Sequence, residues 1–310
     1  MPLHTKGWSS LTIRGNKPRH VPWPLGKLPR AMVVLSGLFL ILLHTAWAQT
    51  TSEDAQESSE ASVTLAPPRQ QLRLGERLSF HGRWFGIPVG NGWIEVKAAT
   101  PFGDRQAYLI EAQGQSNEFL STFYPIHDTL RSYVDRETLQ PLHSEKQQRE
   151  GHYRADETVT FDYHRLLATY HSRLNGSTKT IPIPANVQDI VSAFYWLRTH
   201  PIAPPTPVTL PIYSDERVYE TVIKPLQTLI VSLLWRGEFP CLVVEPVAHF
   251  KGILVKRGRV WLYVSADEQR IPLFVKIATP WGPITGLIDQ ESLDALRVPS
   301  SFGPSTSSGS

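Results

Sequence analysis

The chain has 310 residues, with 31 Lys+Arg against 28 Asp+Glu and 41% hydrophobic residues. Six of the basic residues and none of the acidic ones lie within residues 1–48, so the other 262 residues carry 25 basic against 28 acidic groups, and charge disfavours a nucleic-acid binder. One cysteine excludes an internal disulfide framework and a multi-cysteine zinc site, while the apolar content is ample for a core.

Residues 1–30 are basic and interrupted by proline. Ala31–Leu43 follows, thirteen residues without a charge, and then Ala46-Trp47-Ala48. Basic region, apolar region and small-residue cleavage site in that order make a secretory signal. The apolar run is shorter than the ~20 residues a membrane span needs. A cut between Ala48 and Gln49 is expected, giving a periplasmic or secreted chain without an integral span. An uncleaved N-terminal anchor is the alternative. No cysteine directly follows the apolar run, which disfavours a lipid anchor. Residues 49–72 are rich in Ser, Glu, Gln and Pro and read as a flexible leader. The Ser/Gly/Pro-rich residues 298–310 read as a disordered tail, leaving 73–297 as a single β-rich domain.

Within that block, apolar residues recur at a spacing of two, which places them on one face of a strand. Leu78 and Phe80 alternate with polar neighbours, as do Tyr108, Ile110 and Ala112. The set Tyr153, Ala155, Glu157, Val159, Phe161 and Tyr163 is longer, and Val218, Val222, Leu242, Val244, Val260, Leu262, Val264, Leu273, Val275 and Ile277 continue the pattern. Gly151, Asn175-Gly176, Arg257-Gly258 and Trp281-Gly282-Pro283 punctuate these runs as turns. Many short sequential strands predict a mainly β fold, an antiparallel meander forming a curved sheet or open barrel. One segment breaks the rhythm. Ile190, Ala193, Phe194 and Leu197 share a helical face, predicting a helix over about 187–199 with Asn186 as N-cap and Arg198 in the last turn. It is expected to pack on the concave face of the sheet.

Several segments carry a family signature. Gly75-Glu76-x-Leu78-x-Phe80 leads into Phe85-Gly86-Ile87-Pro88-Val89-Gly90, followed by Phe123-Tyr124-Pro125-Ile126-His127-Asp128. Asp189-x-x-Ser192-x-x-Tyr195-x-x-Arg198 and Trp261-x-x-x-Ser265-x-Asp267-x-x-Arg270-x-Pro272 are the more specific parts. The pattern resembles the exported bacterial proteins grouped as domain of unknown function 3108, over about residues 73–293. The resemblance implies an envelope-facing β-rich domain and carries no established activity.

The sequence has no G-x-S-x-G elbow, Walker A loop, H-E-x-x-H or G-x-G-x-x-G. In the hairpin, Asp267 and Arg270 are candidates for binding a sugar or phosphate headgroup, since guanidinium matches oxyanions. Against that, Asp267 would close the turn and Arg270 pair with it. On the helix, Asp189, Ser192 and Tyr195 form a candidate polar stripe. The competing reading is a capping acid with hydroxyls satisfied by strand carbonyls. Asp189 and Arg198 sit two and a half turns apart and cannot pair. His127 and Asp128 are neighbours on a strand and point to opposite faces, which disfavours a triad. The histidines lack metal-ligand spacing, and no metal or cofactor is expected. Cys241 reads as a small buried hydrophobe. Trp84, Tyr195, Arg198, Trp261, Asp267 and Arg270 are the candidate ligand-binding residues. The leading expectation is a non-enzymatic envelope protein holding a lipid or glycan in the concave face. An enzyme on envelope polysaccharide using dispersed carboxylates such as Asp189 and Asp267 is a second reading. An assembly module docking on an envelope protein partner through a strand edge is a third.

Overall fold

The computed structural model describes residues 11–14, 71–233, 235–250, 253–254, 258–279 and 282–296. The apolar run 31–43, the expected cut at Ala48–Gln49, nearly all of the 49–72 leader and the 298–310 tail lie outside the described residues.

One antiparallel sheet accounts for the strands. Its first run is β1 (Leu11–Arg14), β2 (Arg77–Trp84), β3 (Ile87–Phe102), β4 (Arg105–Ser116) and β5 (His127–Asp135). Then come β6 (Pro141–Glu150), β7 (Tyr153–Asp162), β8 (Leu167–Ser172), β9 (Thr178–Pro182) and β10 (Val208–Ser214). The last are β11 (Arg217–Leu233), β12 (Gly237–Phe250), β13 (Ile253–Leu254), β14 (Arg259–Ser265), β15 (Pro272–Thr279) and β16 (Gly282–Ile288). Three helices interrupt them: α1 (Glu118–Ser121), α2 (Ile190–Thr199) and α3 (Gln290–Leu296). The hydrogen-bonded path runs β1-β11-β12-β14-β15-β16-β2-β3-β4-β5-β6-β7-β8-β9, with β10 beside β11 and β13 beside β12. Two meanders, β2–β9 and β11–β16, are therefore zipped together where β16 pairs with β2, from Ile284↔Trp84 to Ile288↔Phe80. This is the mainly β, antiparallel, strongly curved architecture that the period of two predicts.

Curvature brings the far ends of the path face to face. Side chains join them where backbone pairing stops. Val159, Phe161, Ala168 and Tyr170 of β7 and β8 pack with Tyr213 of β10, and Ile181 and Val218 lean on that cluster. The segment between β9 and α2 lines the seam: Ile183 N–H donates to Leu166 O at 2.9 Å, and Tyr213 N–H to Gln188 O at 2.7 Å. Lys179 of β9 pairs with Glu216 in the β10–β11 turn. Asn175-Gly176 does fall in the β8–β9 hairpin, but that connection spans residues 173–177 and is longer than a two-residue turn.

α2 fills the barrel. Its N-cap is Asp189 and not Asn186, because Asp189 and Ser192 form a capping box: Ser192 N–H donates to Asp189 Oδ1 at 2.7 Å, and Asp189 N–H to Ser192 Oγ at 2.9 Å. The expected single apolar face is also an underestimate. Val191, Phe194 and Tyr195 pack against β2–β5 and β15–β16, in a core with Leu78, Phe80, Ile94 and Ile110. Trp196 and Leu197 pack against Leu210, Tyr219, Leu242 and Val264 on the other side. The sheet wraps the helix, so both of its sides are bought out of water by the hydrophobic effect. α3 adds Leu293 and Leu296 to the same core.

One strand edge is only partly covered. β11 is paired along its inner side with β12. Along its outer side, β10 covers Arg217–Ile223 and β1 covers Ile230–Leu233. Lys224 and Leu226–Thr228 are exposed between them, with a register shift at Pro225/Thr228. β1 itself lies within the residues read as an export signal.

Candidate functional site

Four of the six candidate ligand residues converge, and they form a clasp between α2 and the β14–β15 hairpin. Arg198 is 8% exposed and pairs with the equally buried Glu76 carboxylate, one bond being Nη2 to Oε2 at 3.1 Å. Its Nε donates to Gln269 O at 3.4 Å. Burial alone would lower the guanidinium pKa, but the Glu76 carboxylate outweighs it and holds the charge on. Arg270 reaches back from the hairpin and donates to His200 O, at the C-terminal end of α2, where a helix dipole favours a cation. Asp267 closes the hairpin: its Oδ1 accepts from Ser265 Oγ at 2.6 Å and from the Gln269 and Arg270 backbone N–H groups at 3.1 and 3.2 Å. Tyr195 is 0% exposed beneath Arg198, with the guanidinium carbon 5.3 Å from its ring centroid. Its hydroxyl has no hydrogen-bond partner among the described residues, contrary to the expected strand carbonyl. The two most specific sequence motifs thus meet each other in the interior and lock the helix to the sheet.

The two tryptophans lie elsewhere. Trp261 is half-buried, with Arg259 and Lys276 over its ring at 4.7 and 5.7 Å. Trp84 ends β2 and packs on Val89, Leu120, Tyr124 and Ile126. Nor do Asp189 and Asp267 face one another. Asp189 caps α2 and accepts from Ser132 Oγ at 2.6 Å, while burial raises its pKa against these hydrogen bonds. His127 is exposed and Asp128 fully buried, on opposite faces as the strand period requires.

A cleft does open on the concave face, between β5–β7, the start of α2 and the β10–β11 turn. Leu130, Ser144, Lys146, Glu157, Asp189 and Tyr213 are among its walls, and its volume is about 50 Å³. That holds about three water molecules at 10–15 Å³ each. Lys146 sits between two carboxylates, 2.5 Å from Glu157 and 2.8 Å from Asp215. Burial opposes its charge, yet the two acids raise its pKa, so the ammonium stays on. The Tyr213 hydroxyl is buried without a partner, and burial, then Glu157, raise its pKa. The triad ties β6 and β7 to the β10–β11 turn across the seam.

A second polar cluster lies further along the same strands. Gly114 of β4 pairs with Asp128, and Thr129↔Gln147 puts Asp128 beside Gln148. Arg149 N–H donates to Asp128 Oδ1 at 3.0 Å, and Gln148 Nε2 to Glu150 Oε1 at 3.1 Å. Burial raises the Asp128 pKa, opposed by a hydrogen bond with the Glu150 carboxyl. Two carboxyls can share such a bond when one of them holds a proton. Sequence reading passed over Lys146, Asp215, Gln148 and Glu150. One signal was available: Glu157 occupies an inward position in the longest alternating run, and an inward charge demands a partner.

Among the described residues, no cluster of three or more His, Cys, Asp or Glu is placed to hold a metal ion. Among the same residues, no helix is long and apolar enough to cross a membrane. The family model described as protein of unknown function, DUF3108, matches residues 78–289. No curated protein matches the chain. A solved structure of a beta-barrel-like protein of domain of unknown function DUF1849 from Brucella abortus is similar at 8% identity, over 70% of this chain and 97% of that one, with a TM-score of 0.49.

Proposed function

This chain belongs to the DUF3108 family of proteins of unknown function, and we propose that it is an exported docking module which takes an extended segment of an envelope protein onto the outer edge of β11. The observation that carries this reading is the edge itself. Among the described residues, its outer side from Lys224 to Leu233 is covered only by the four residues of β1, at Ile230–Leu233. Cleavage after Ala48 removes β1 and leaves that edge open. Unpaired N–H and C=O groups on a sheet edge are a template for strand addition. The cleft on the concave face supports the same reading, because its volume of about 50 Å³ is small for the lipid or glycan that a carrier would hold.

A photo-crosslinking amino acid at Thr228, in the chain expressed in its own cells, tests this. The expected product is a crosslink to an extended segment of a second envelope protein, lost when Ile230, whose N–H faces outward, is replaced by proline to block strand pairing. Crosslinks confined to the chain itself overturn the reading. So does native mass spectrometry that finds a releasable extra mass of lipid or sugar size. The same spectrum fixes the mature N-terminus.

A further inference from the structure

One end of the barrel carries a cluster of exposed apolar side chains: Phe85 at 64%, Phe119 at 53%, and Ile87 and Phe123 at 49%. The fold brings them together. Asn117, the N-cap of α1, donates from its backbone N–H to Val89 O and from Nδ2 to Pro88 O, both at 2.9 Å, which pins α1 beside the β2–β3 turn. Leu120 turns inward with Val89, Tyr124 and Ile126. Phe119 and Phe123 are left outside, their rings edge to face at 5.2 Å. Phe85 stacks at a tilt 5.6 Å from Trp84 and lies over Gly282, where a Cβ would collide with its ring. Its φ is +49°, a left-handed conformation that a bulky residue rarely adopts. An exposed aromatic held at a backbone cost, in a contiguous apolar patch, marks a contact surface.

The charges beside the patch are mostly of one sign. The β6–β7 hairpin adjoins α1 through Tyr124, whose ring covers Gly151. On its outer face Arg149 and Arg154 stand directly opposite each other. Both are exposed, and neither is ion-paired among the described residues. Like charges directly opposite each other across two strands repel, and Arg154 Nη1 is held at the rim by donating to Gly151 O at 2.9 Å and Tyr153 O at 2.7 Å. Arg83 Nη1 donates to Gly86 O in the β2–β3 turn at 2.8 Å, and Glu118 is the acid in the first turn of α1. The Glu150 carboxyl is turned inward to Gln148 and cannot serve.

We propose that this rim docks on a membrane surface bearing anionic lipid. Phe85, Phe119 and Phe123 enter the boundary between headgroups and acyl chains, and Arg149 and Arg154 meet the lipid phosphates. Charge selects lipid over a second copy, since a two-fold dimer would set this basic rim against itself. The surface is separate from the β11 edge, so each reading stands without the other.

The test is Ile87→Cys in the full chain, carrying an environment-sensitive fluorophore. Cys241 is buried and stays unlabelled. The label reports the rim and not the apolar run at 31–43. With phosphatidylglycerol vesicles the emission is expected to shift to the blue. With phosphatidylcholine vesicles, or at ~1 M salt where screening acts within about 3 Å, the shift should vanish. Phe119→Ser with Phe123→Ser should weaken the response about tenfold or more. Arg149→Gln with Arg154→Gln should remove its salt dependence. These side chains are exposed, so circular dichroism separates lost binding from lost fold. A label that stays in water while the protein sediments with vesicles overturns the proposal. So does wild-type self-association that the double phenylalanine variant abolishes, with no vesicle response in either.

Discussion

β2–β4 and β5–β7 are neighbours in one sheet, yet their inward positions are filled in opposite ways. The first three strands present Leu78, Phe80, Ile94, Val96, Tyr108 and Ile110 to α2. The next three present Asp128, Ser132, Lys146, Gln148, Glu150 and Glu157, among fewer apolar side chains. The apolar wall is stabilised by area removed from water, which is non-directional and indifferent to pH. The polar wall depends on each group finding its partner, and a lost partner leaves a buried charge behind. Adjacent strands of one sheet therefore respond to different solution variables.

That contrast can be broken from either side. Phe80→Ala, at a position 1% exposed, is expected to cost about 3–5 kcal/mol in denaturant unfolding. The loss should be the same in low and high salt. Lys146→Met is expected to cost about 3 kcal/mol, because Glu157 and Asp215 are left without their shared cation. Adding Glu157→Gln and Asp215→Asn should restore at least half of that. A neutral Lys146→Met would show that the seam is held by its apolar cluster alone.

Asp128 sharpens the comparison further. Burial raises its pKa in the folded state above the unfolded value. The folded chain therefore keeps the proton longer, so this group's contribution is most favourable below about pH 4 and declines as pH rises through the raised value. Asp128→Asn keeps the acceptor for Arg149 N–H. It should melt higher than wild type at pH 7, with the difference shrinking towards pH 4. Equal melting temperatures across that range would remove the carboxyl from the pH response. The smallest effect belongs to the apolar side: burial pushes the Cys241 thiol up to about 12. It should stay unmodified by a thiol reagent at about pH 8 until the chain is unfolded.

The same contrast explains what the sequence made legible. The runs at 78–80, 108–112, 260–264 and 273–277 read as strands because one face meets the apolar core and the other meets water. β6, Pro-Leu-His-Ser-Glu-Lys-Gln-Gln-Arg-Glu, shows no alternating run because its inward residues are Lys146, Gln148 and Glu150. Period-two patterning needs a difference in polarity between faces, and here there is none. The 3.6 period of Ile190, Ala193, Phe194 and Leu197 locates α2, but its second buried side is hidden because Trp196 lies outside that set and Tyr195 reads as a ligand-binding candidate. The hairpin motif was read correctly as far as the Asp267 turn. What Arg198 and Arg270 do depends on Glu76 and His200, which are 122 and 70 residues away and brought near only by the fold.

The pairing of β16 with β2 has a consequence for how the chain acquires its structure. The first strand of the meander is held by the last, some two hundred residues later. Contacts of such sequence separation form late, because loop-closure entropy must be met before they stabilise anything. During synthesis or threading through a pore, β2 would present an unpaired edge until Gly282–Ile288 arrives. The sheet is therefore built to stay unlocked at β2 until every strand up to β16 has been made.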